Sequence, residues 1–214
     1  MSLSKKDVEG YFITGTDTEV GKTVIACELM RRLKAQGHCV VGFKPIASGA
    51  VETVDGLRNE DALILQAESS MSLPYEWINP YCFGAPVAPH LAAEEVGEPI
   101  RIEVIEYAYS QIAEAGATAI VVEGAGGWLV PINETQMMSD IADQLNLQVV
   151  LVVGIRLGCI NHGLLTANHL QLLEEDYMGW VANHLSDNML MARENVEALA
   201  ERIGDPMMIY PYVP

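Results

Sequence analysis

Residues 15–23 read Gly-Thr-Asp-Thr-Glu-Val-Gly-Lys-Thr, and their types and spacing suit the holding of a polyphosphate. Backbone N–H groups of such a turn converge on phosphate oxygens, a lysine neutralises charge, and the next hydroxyl offers a hard oxygen to Mg2+. Lys22 and Thr23 take the last two roles. The usual spacing puts a glycine five residues before Gly21, where this chain has Thr16, with Gly15 one position further back. Gly-Lys-Thr alone is common. It gains meaning from an apolar run before it and an amphipathic pattern after it.

The elements that must position this loop follow from the apolar pattern. Runs at residues 11–14, 39–44, 119–123, 149–153 and 180–183 are rich in β-branched and aromatic residues without polar alternation, which predicts strands buried on both faces. Helical patterns cover 22–36, 59–68, 102–115, 139–145, 160–173 and 189–203, with Gly37 and Gly116 as C-terminal stops. Strand and helix alternate, so the expected fold is α/β, a doubly wound parallel sheet with helices on both faces. Residues 73–99 carry Pro74, Pro80, Pro86, Pro89 and Pro99 with little periodicity, and read as a long ordered loop of the kind that serves function.

Three charged residues have addresses near the loop. Glu123 ends an apolar strand at the edge where open α/β sheets bind ligands, unless it is only a solvated strand end. Lys44 closes the second strand before Pro45 and faces the same alternatives. Asp61 stands near a helix start, where an acid also favours the helix dipole.

Composition narrows the function classes. The 214 residues predict one domain, 1–214, and half of them are apolar, enough for a buried sheet. Acidic residues outnumber basic ones 29 to 12, a formal charge of −17 that repels nucleic acid and anionic lipid, so neither is an expected partner. The same field repels free ATP, so a nucleotide site must gather positive charge or a metal ion. Cys27, Cys39, Cys82 and Cys159 form no C-x-x-C pair, which fits a reducing cytosol rather than a zinc cluster or a disulfide framework. Residues 1–10 carry Lys5, Lys6, Asp7 and Glu9 and hold no signal-peptide core, and no apolar run reaches membrane-spanning length. The histidines His38, His90, His162, His169 and His184 lack ligand spacing and are assigned to no metal.

Residues 15–23 resemble the variant phosphate loop of the dethiobiotin synthetases, P-loop NTPase-like ligases in which Thr-Asp-Thr-x-Val-Gly-Lys-Thr replaces the glycine-rich start. Further matches follow in chain order: Lys44-Pro45-Ile46-Ala47-Ser48-Gly49, Asn59-Glu60-Asp61-Ala62, and Asn79-Pro80-Tyr81 with Pro86, Pro89 and His90. Then come Glu123-Gly124-Ala125-Gly126-Gly127, Gly158-Cys159-Ile160-Asn161-His162 and Gly179-Trp180-Val181-Ala182-Asn183. The resemblance spans most of the chain. It implies ATP- and Mg2+-dependent carboxylation and ring closure of 7,8-diaminononanoate with CO2, giving dethiobiotin, ADP and phosphate through a carbamate and a carbamic-phosphoric anhydride. It also implies a cytoplasmic homodimer with its site near the subunit interface.

Residue by residue, the resemblance assigns Mg2+ to Thr23, Asp61 and Glu123, whose hard oxygens suit that ion. Lys22 and Lys44 become the catalytic cations. ATP is expected on Glu19, Val20, Gly21, Lys22, Thr23 and Val24, on Glu123, Gly124, Ala125 and Gly126, and on Asn183, His184, Pro211, Tyr212 and Val213, with Asn183 reading adenine. Thr18 and Ser48 are implied substrate hydroxyls, although turn and cap chemistry beside glycine explains them equally. Gly158, Cys159, Ile160 and Asn161 precede a helix and are implied to anchor the substrate's distal carboxylate in the partner's site. Ordinary N-capping by Asn161 is the other reading. Pro214 closes the sequence where family members usually continue into a further helix with a later nucleotide contact.

Two other functions share the architecture. A ParA/MinD-like ATPase normally carries a second lysine near the loop start, where this chain has Thr16, Asp17 and Thr18, and no basic amphipathic tail is present. A synthetase such as cobyric acid synthase needs a glutaminase domain that 214 residues do not accommodate. A non-catalytic nucleotide-binding module is the remaining alternative, and diamine-dependent phosphate release separates it from a ligase.

Overall fold

The computed structural model describes residues 8–213, without the side chains of residues 173–175. Lys5, Lys6 and Asp7 of the polar N-terminal stretch and Pro214 lie outside the described residues. In chain order the elements are β1 (Glu9–Gly15), α1 (Lys22–Ala35), β2 (Val40–Phe43), β3 (Ile46–Ala47), β4 (Val51–Thr53), β5 (Gly56–Arg58), α2 (Glu60–Glu68) and α3 (Tyr75–Ile78). They continue with β6 (Tyr81–Cys82), α4 (Pro89–Val96), α5 (Ile102–Glu114), β7 (Ala119–Glu123), α6 (Met138–Leu145), β8 (Gln148–Ile155), α7 (Cys159–Leu170), β9 (Tyr177–His184), α8 (Ala192–Ile203) and β10 (Met208–Tyr210).

Six strands form a sheet in the order β10-β9-β8-β1-β7-β2, and every pairing in it is parallel. Parallel neighbours need crossovers, and the helices supply them on both faces. Alternate residues of each strand feed opposite cores. Phe12, Val122, Leu151 and Val153 join residues of α4, α5, α6, α7 and α8 in one apolar cluster. Tyr11, Ile13, Val121 and Val152 join Ile25, Met30 and Leu33 of α1 and Leu65 of α2 in the other. This is the doubly wound α/β fold expected. Central β1 ends at Gly15 beside the ends of β7 and β8, with Ile13 in register with Glu123 and Gly15 with Val152, so the loop after β1 opens at the middle of the carboxyl edge.

Three expectations need correction. Residues 73–99 are not one loop: they hold α3, β6 and α4, because Pro89 occupies the first turn of α4, where a missing N–H costs nothing. The helix predicted at 160–173 begins at Cys159 and ends at Leu170, continuing as a 3-10 turn over Gln171–Asp176. The helix predicted at 189–203 starts only at Ala192, after Met191 in a left-handed conformation.

Candidate active site

The loop after β1 reaches α1 through Glu19 and Gly21, whose φ values of 58 and 86° turn the chain sharply. No side chain caps α1 and no acid lies in its first turn, so its leading N–H groups stay free for an anion. Lys22, only 7% exposed, donates from Nζ to the carbonyl of Asp17 at 2.9 Å. Burial, joined by the charge of Lys44, pulls its ammonium down to about 8.

For Glu123 and Lys44 the alternatives resolve through burial, whereas Asp61 is 41% exposed and stands in the first turn of α2. Glu123 is 1% exposed and Lys44 is 4% exposed, so neither is a solvated strand end. Lys44 Nζ lies 2.6 Å from Glu123 Oε1 and 3.2 Å from Asp61 Oδ2. Thr23 Oγ1 donates toward Asp61 Oδ1 at 2.8 Å and Glu123 Oε1 at 3.0 Å. Asp61 gets there because Asn59 caps α2, its Oδ1 accepting the Ala62 N–H at 3.2 Å. Asn79 fixes Lys44 from behind, donating to its carbonyl at 2.7 Å.

Burial pushes the Lys44 ammonium down, but Glu123 and Asp61 together hold it above its ordinary value. Burial works to raise the Asp61 carboxyl, yet Lys44 and the Thr23 hydroxyl leave it below its ordinary value. Complete burial lifts the Glu123 carboxyl despite Lys44. Glu123 Oε2 is buried without a hydrogen-bond partner, and so is Ser48 Oγ. Orphaned polar atoms of this kind mark places built for something else. Thr23, Asp61 and Glu123 present hard oxygens around one point, a donor set that fits Mg2+. These groups line a cavity of about 670 Å3, with Thr18, Glu19, Gly21, Lys22, Ser48, Ala125 and Gly126 also on its walls.

The model of the family described as an AAA domain matches residues 9–209. The chain is 43% identical over 201 residues to the ATP-dependent dethiobiotin synthetase BioD of Aeromonas salmonicida, covering 94% of this chain and 89% of that protein. It is 44% identical over 198 residues to ATP-dependent dethiobiotin synthetase BioD 1 of Escherichia coli K12, covering 92% and 88%. The chain belongs to the dethiobiotin synthetase family. Among solved structures it is similar to a ParA family ATPase from Chlorobium tepidum, with TM-score 0.55, 12% identity and coverage of 97% of this chain and 85% of that one. The MinC:MinD cell division complex of Aquifex aeolicus gives TM-score 0.56, 18% identity and coverage of 97% and 82%. These two share the P-loop fold; the dethiobiotin synthetase relatives carry the family.

The remaining residues that the dethiobiotin synthetase motifs single out do not all enter the cavity. Asn183, at the end of β9, donates from Nδ2 to the Val20 carbonyl at 2.8 Å and packs against Gly21. Its amide thus braces the phosphate loop. His184, Pro211, Tyr212 and Val213 lie outside the cavity wall, although Tyr210 is in register with Asn183 and brings the last three to the same sheet edge. Gly158, Cys159, Ile160 and Asn161 are also away from it. Gly158, with φ 95°, is the residue before α7, so Asn161 sits inside the first turn and does not cap the helix. Cys159 Sγ meets Asn195 Oδ1 at 3.7 Å. His90 lines a separate cavity of about 510 Å3 and contacts the Pro131 carbonyl through Nδ1 at 3.3 Å. Sequence reasoning missed Asn59 as a wall residue and Arg156, whose Nη2 lies 2.5 Å from Asp17 Oδ2. An asparagine one residue before a helix was a legible signal; an isolated arginine was not.

Proposed function

We propose that this chain catalyses the ATP- and Mg2+-dependent carboxylation and ring closure of 7,8-diaminononanoate to dethiobiotin, the step for which its relatives are named. The observation that carries the reading is the meeting of two buried lysines, two carboxylates and a hydroxyl at the mouth of a phosphate loop. Substrate amine takes up CO2 as a carbamate with loss of a proton, a carbamate oxygen attacks the γ-phosphorus as ADP leaves, and the second amine attacks the carbonyl carbon of the mixed anhydride, losing its proton and closing the ring as phosphate leaves. Such chemistry needs positioning and charge neutralisation more than a protein nucleophile. Lys22 and the free N–H groups of α1 bind the phosphates, while Lys44, which lines the same cavity, reaches the transferring group. Thr23, Asp61 and Glu123 would hold Mg2+, which neutralises phosphate charge when bound. The unpartnered Ser48 Oγ and the Thr18 hydroxyl suit the diamine.

A homodimer completes the site in this reading. The N-terminus of α7 is uncapped, free of acids in its first turn and away from its own cavity, so its N–H groups suit a carboxylate in a second copy. Leu157 and Leu190 are widely exposed just before α7 and α8, and Leu165 is exposed midway along α7, apolar surface that a second copy would cover. Four free cysteines suit a cytoplasmic setting, and no helix among the described residues is long and apolar enough to cross a membrane.

The test is purified protein with ATP, Mg2+, bicarbonate and 7,8-diaminononanoate. Dethiobiotin should appear by mass spectrometry, with phosphate release that depends on the diamine. Steady ATP hydrolysis indifferent to the diamine, with no new product, would favour a ParA-like ATPase and sink the proposal.

A further inference from the structure

Three residues of the phosphate loop, Thr16, Asp17 and Val20, are tied to β8, to the residue after it and to β9. The Thr16 N–H donates to the Val152 carbonyl on β8 at 3.1 Å, and Asn183 on β9 donates to Val20. The third tie is charged. Arg156, the residue that follows β8, places Nη2 2.5 Å from Asp17 Oδ2. Asp17 is a hub: its Oδ1 accepts the Thr18 N–H at 2.8 Å, and its carbonyl accepts Lys22 Nζ at 2.9 Å. One residue therefore joins Arg156 to the lysine and to the loop's own turn.

An acid in a phosphate-binding loop poses a problem, because Asp17, though not on the cavity wall itself, puts one more negative group beside the cavity that a triphosphate must approach on a chain of formal charge −17. Pairing with a guanidinium removes that repulsion. Glu19 also holds left-handed backbone, which for a residue with a side chain persists only when the surroundings enforce it. We propose that Arg156 is a positioning residue for nucleotide binding, which clamps Asp17, neutralises it and keeps the loop in the shape that presents Lys22. The inference rests on the reading of this loop as the ATP site. Both partners are about half exposed, so the effect is several-fold rather than all-or-none, and salt must weaken it.

The experiment uses the full chain and compares wild type with Arg156→Met, Arg156→Gln and Arg156→Lys by calorimetric ATP titration and steady-state kinetics. Expected is a rise of roughly three- to ten-fold in the ATP Kd and KM for Met and Gln, with kcat and the diamine KM nearly unchanged. Lys should recover most of the loss. Raising salt to about 0.5 M should narrow the gap between wild type and Met. Asp17→Asn should cost less in the Arg156→Met background than in wild type. Wild-type affinity in both the Met and Gln variants overturns the inference, as does a loss that is indifferent to salt and not rescued by Lys. Failure of the wild-type protein itself to bind ATP overturns the reading of the loop, independently of any Arg156 variant.

Discussion

The buried Lys44–Glu123 pair makes a prediction that separates stability from function. Removing one partner of a buried pair typically costs about 3–5 kcal/mol, because the survivor is left uncompensated. In Glu123→Gln, Lys44 keeps Asp61 at 3.2 Å and the Gly124 carbonyl at 3.4 Å, so the loss belongs near the low end, about 3 kcal/mol. At this chain length that lowers Tm by roughly 6–12 °C. Lys44→Met leaves the Glu123 carboxyl buried with only the Thr23 hydroxyl on Oε1 and nothing on Oε2. Its pKa is already raised by burial, and loss of the lysine raises it further. A carboxyl with a folded-state pKa above the unfolded one favours folding at low pH and loses that advantage as pH rises toward the folded value. Lys44→Met should therefore be nearly as stable as wild type near pH 4–5 and lose stability up to neutrality. The double variant Lys44→Met/Glu123→Gln has no unpaired buried charge between these two positions, so its loss should fall well short of the sum of the singles. Urea unfolding at several pH values measures all three. Additive losses, or a Lys44→Met loss that does not change with pH, would refute the argument. Turnover should be lost in all three, because a restored fold does not restore the charges.

Lys22, held down to about 8, is neutral in the free protein above that pH, so ATP binding must take up a proton there and should weaken by up to about tenfold per pH unit. Titration calorimetry in buffers of different ionisation enthalpy checks this, and equal affinity at pH 7 and 9 contradicts it. Lys22→Ala should abolish turnover in a folded protein; a folded variant with unchanged turnover removes the loop assignment. Gly21→Ala would place a Cβ against the Asn183 amide on a backbone at φ 86°, and should cost stability and ATP affinity together. Differential scanning calorimetry with and without ATP reads both, and an unchanged response to ATP counts against a role for that turn. Finally, Gly158 has open space around it in its own chain and a φ of 95°, so Gly158→Ala and Gly158→Trp meet similar backbone strain, and Trp should fail where Ala survives if a second copy covers this face. Mixing inactive Lys22→Ala and Gly158→Trp chains should then restore part of the activity, and no recovery in exchanged dimers denies the shared site.

The central sheet was legible because buried parallel strands read as unbroken apolar runs, and residues 119–123 form the strand expected of them. The sixth strand, β10, was not. Its Met-Ile-Tyr is too short to show a pattern and gains its strand only by pairing with residues 181–183 of β9. Prolines misled over residues 73–99, since local breaker signals do not distinguish a proline that ends structure from one that begins a helix. What those residues build decides the site: Ile78 accepts the Lys44 N–H at 2.8 Å and Asn79 holds its carbonyl, closing the crevice over a strand end that would otherwise be wet.

Burial is therefore the quantity that the residue pattern withheld. Glu123, Lys44 and Asp61 had credible addresses at the sheet edge, but whether a strand-end charge is solvated or paired depends on segments distant in sequence. Asp61 comes from a helix positioned by Asn59, and Lys44 is roofed by Asn79. The same reasoning explains how an acidic chain can attract a triphosphate. Coulomb attraction grows as the local dielectric falls, so each of two lysines held at 7% and 4% exposure acts more strongly on a bound phosphate than a solvated lysine would. Holding them there needs nearby acids, and Glu123 and Asp61 supply them on the one side where a divalent cation can later share the carboxylates. The acids that pair with Lys44 and the acids that suit Mg2+ are one set, which is why neither role can be removed by substitution without disturbing the other.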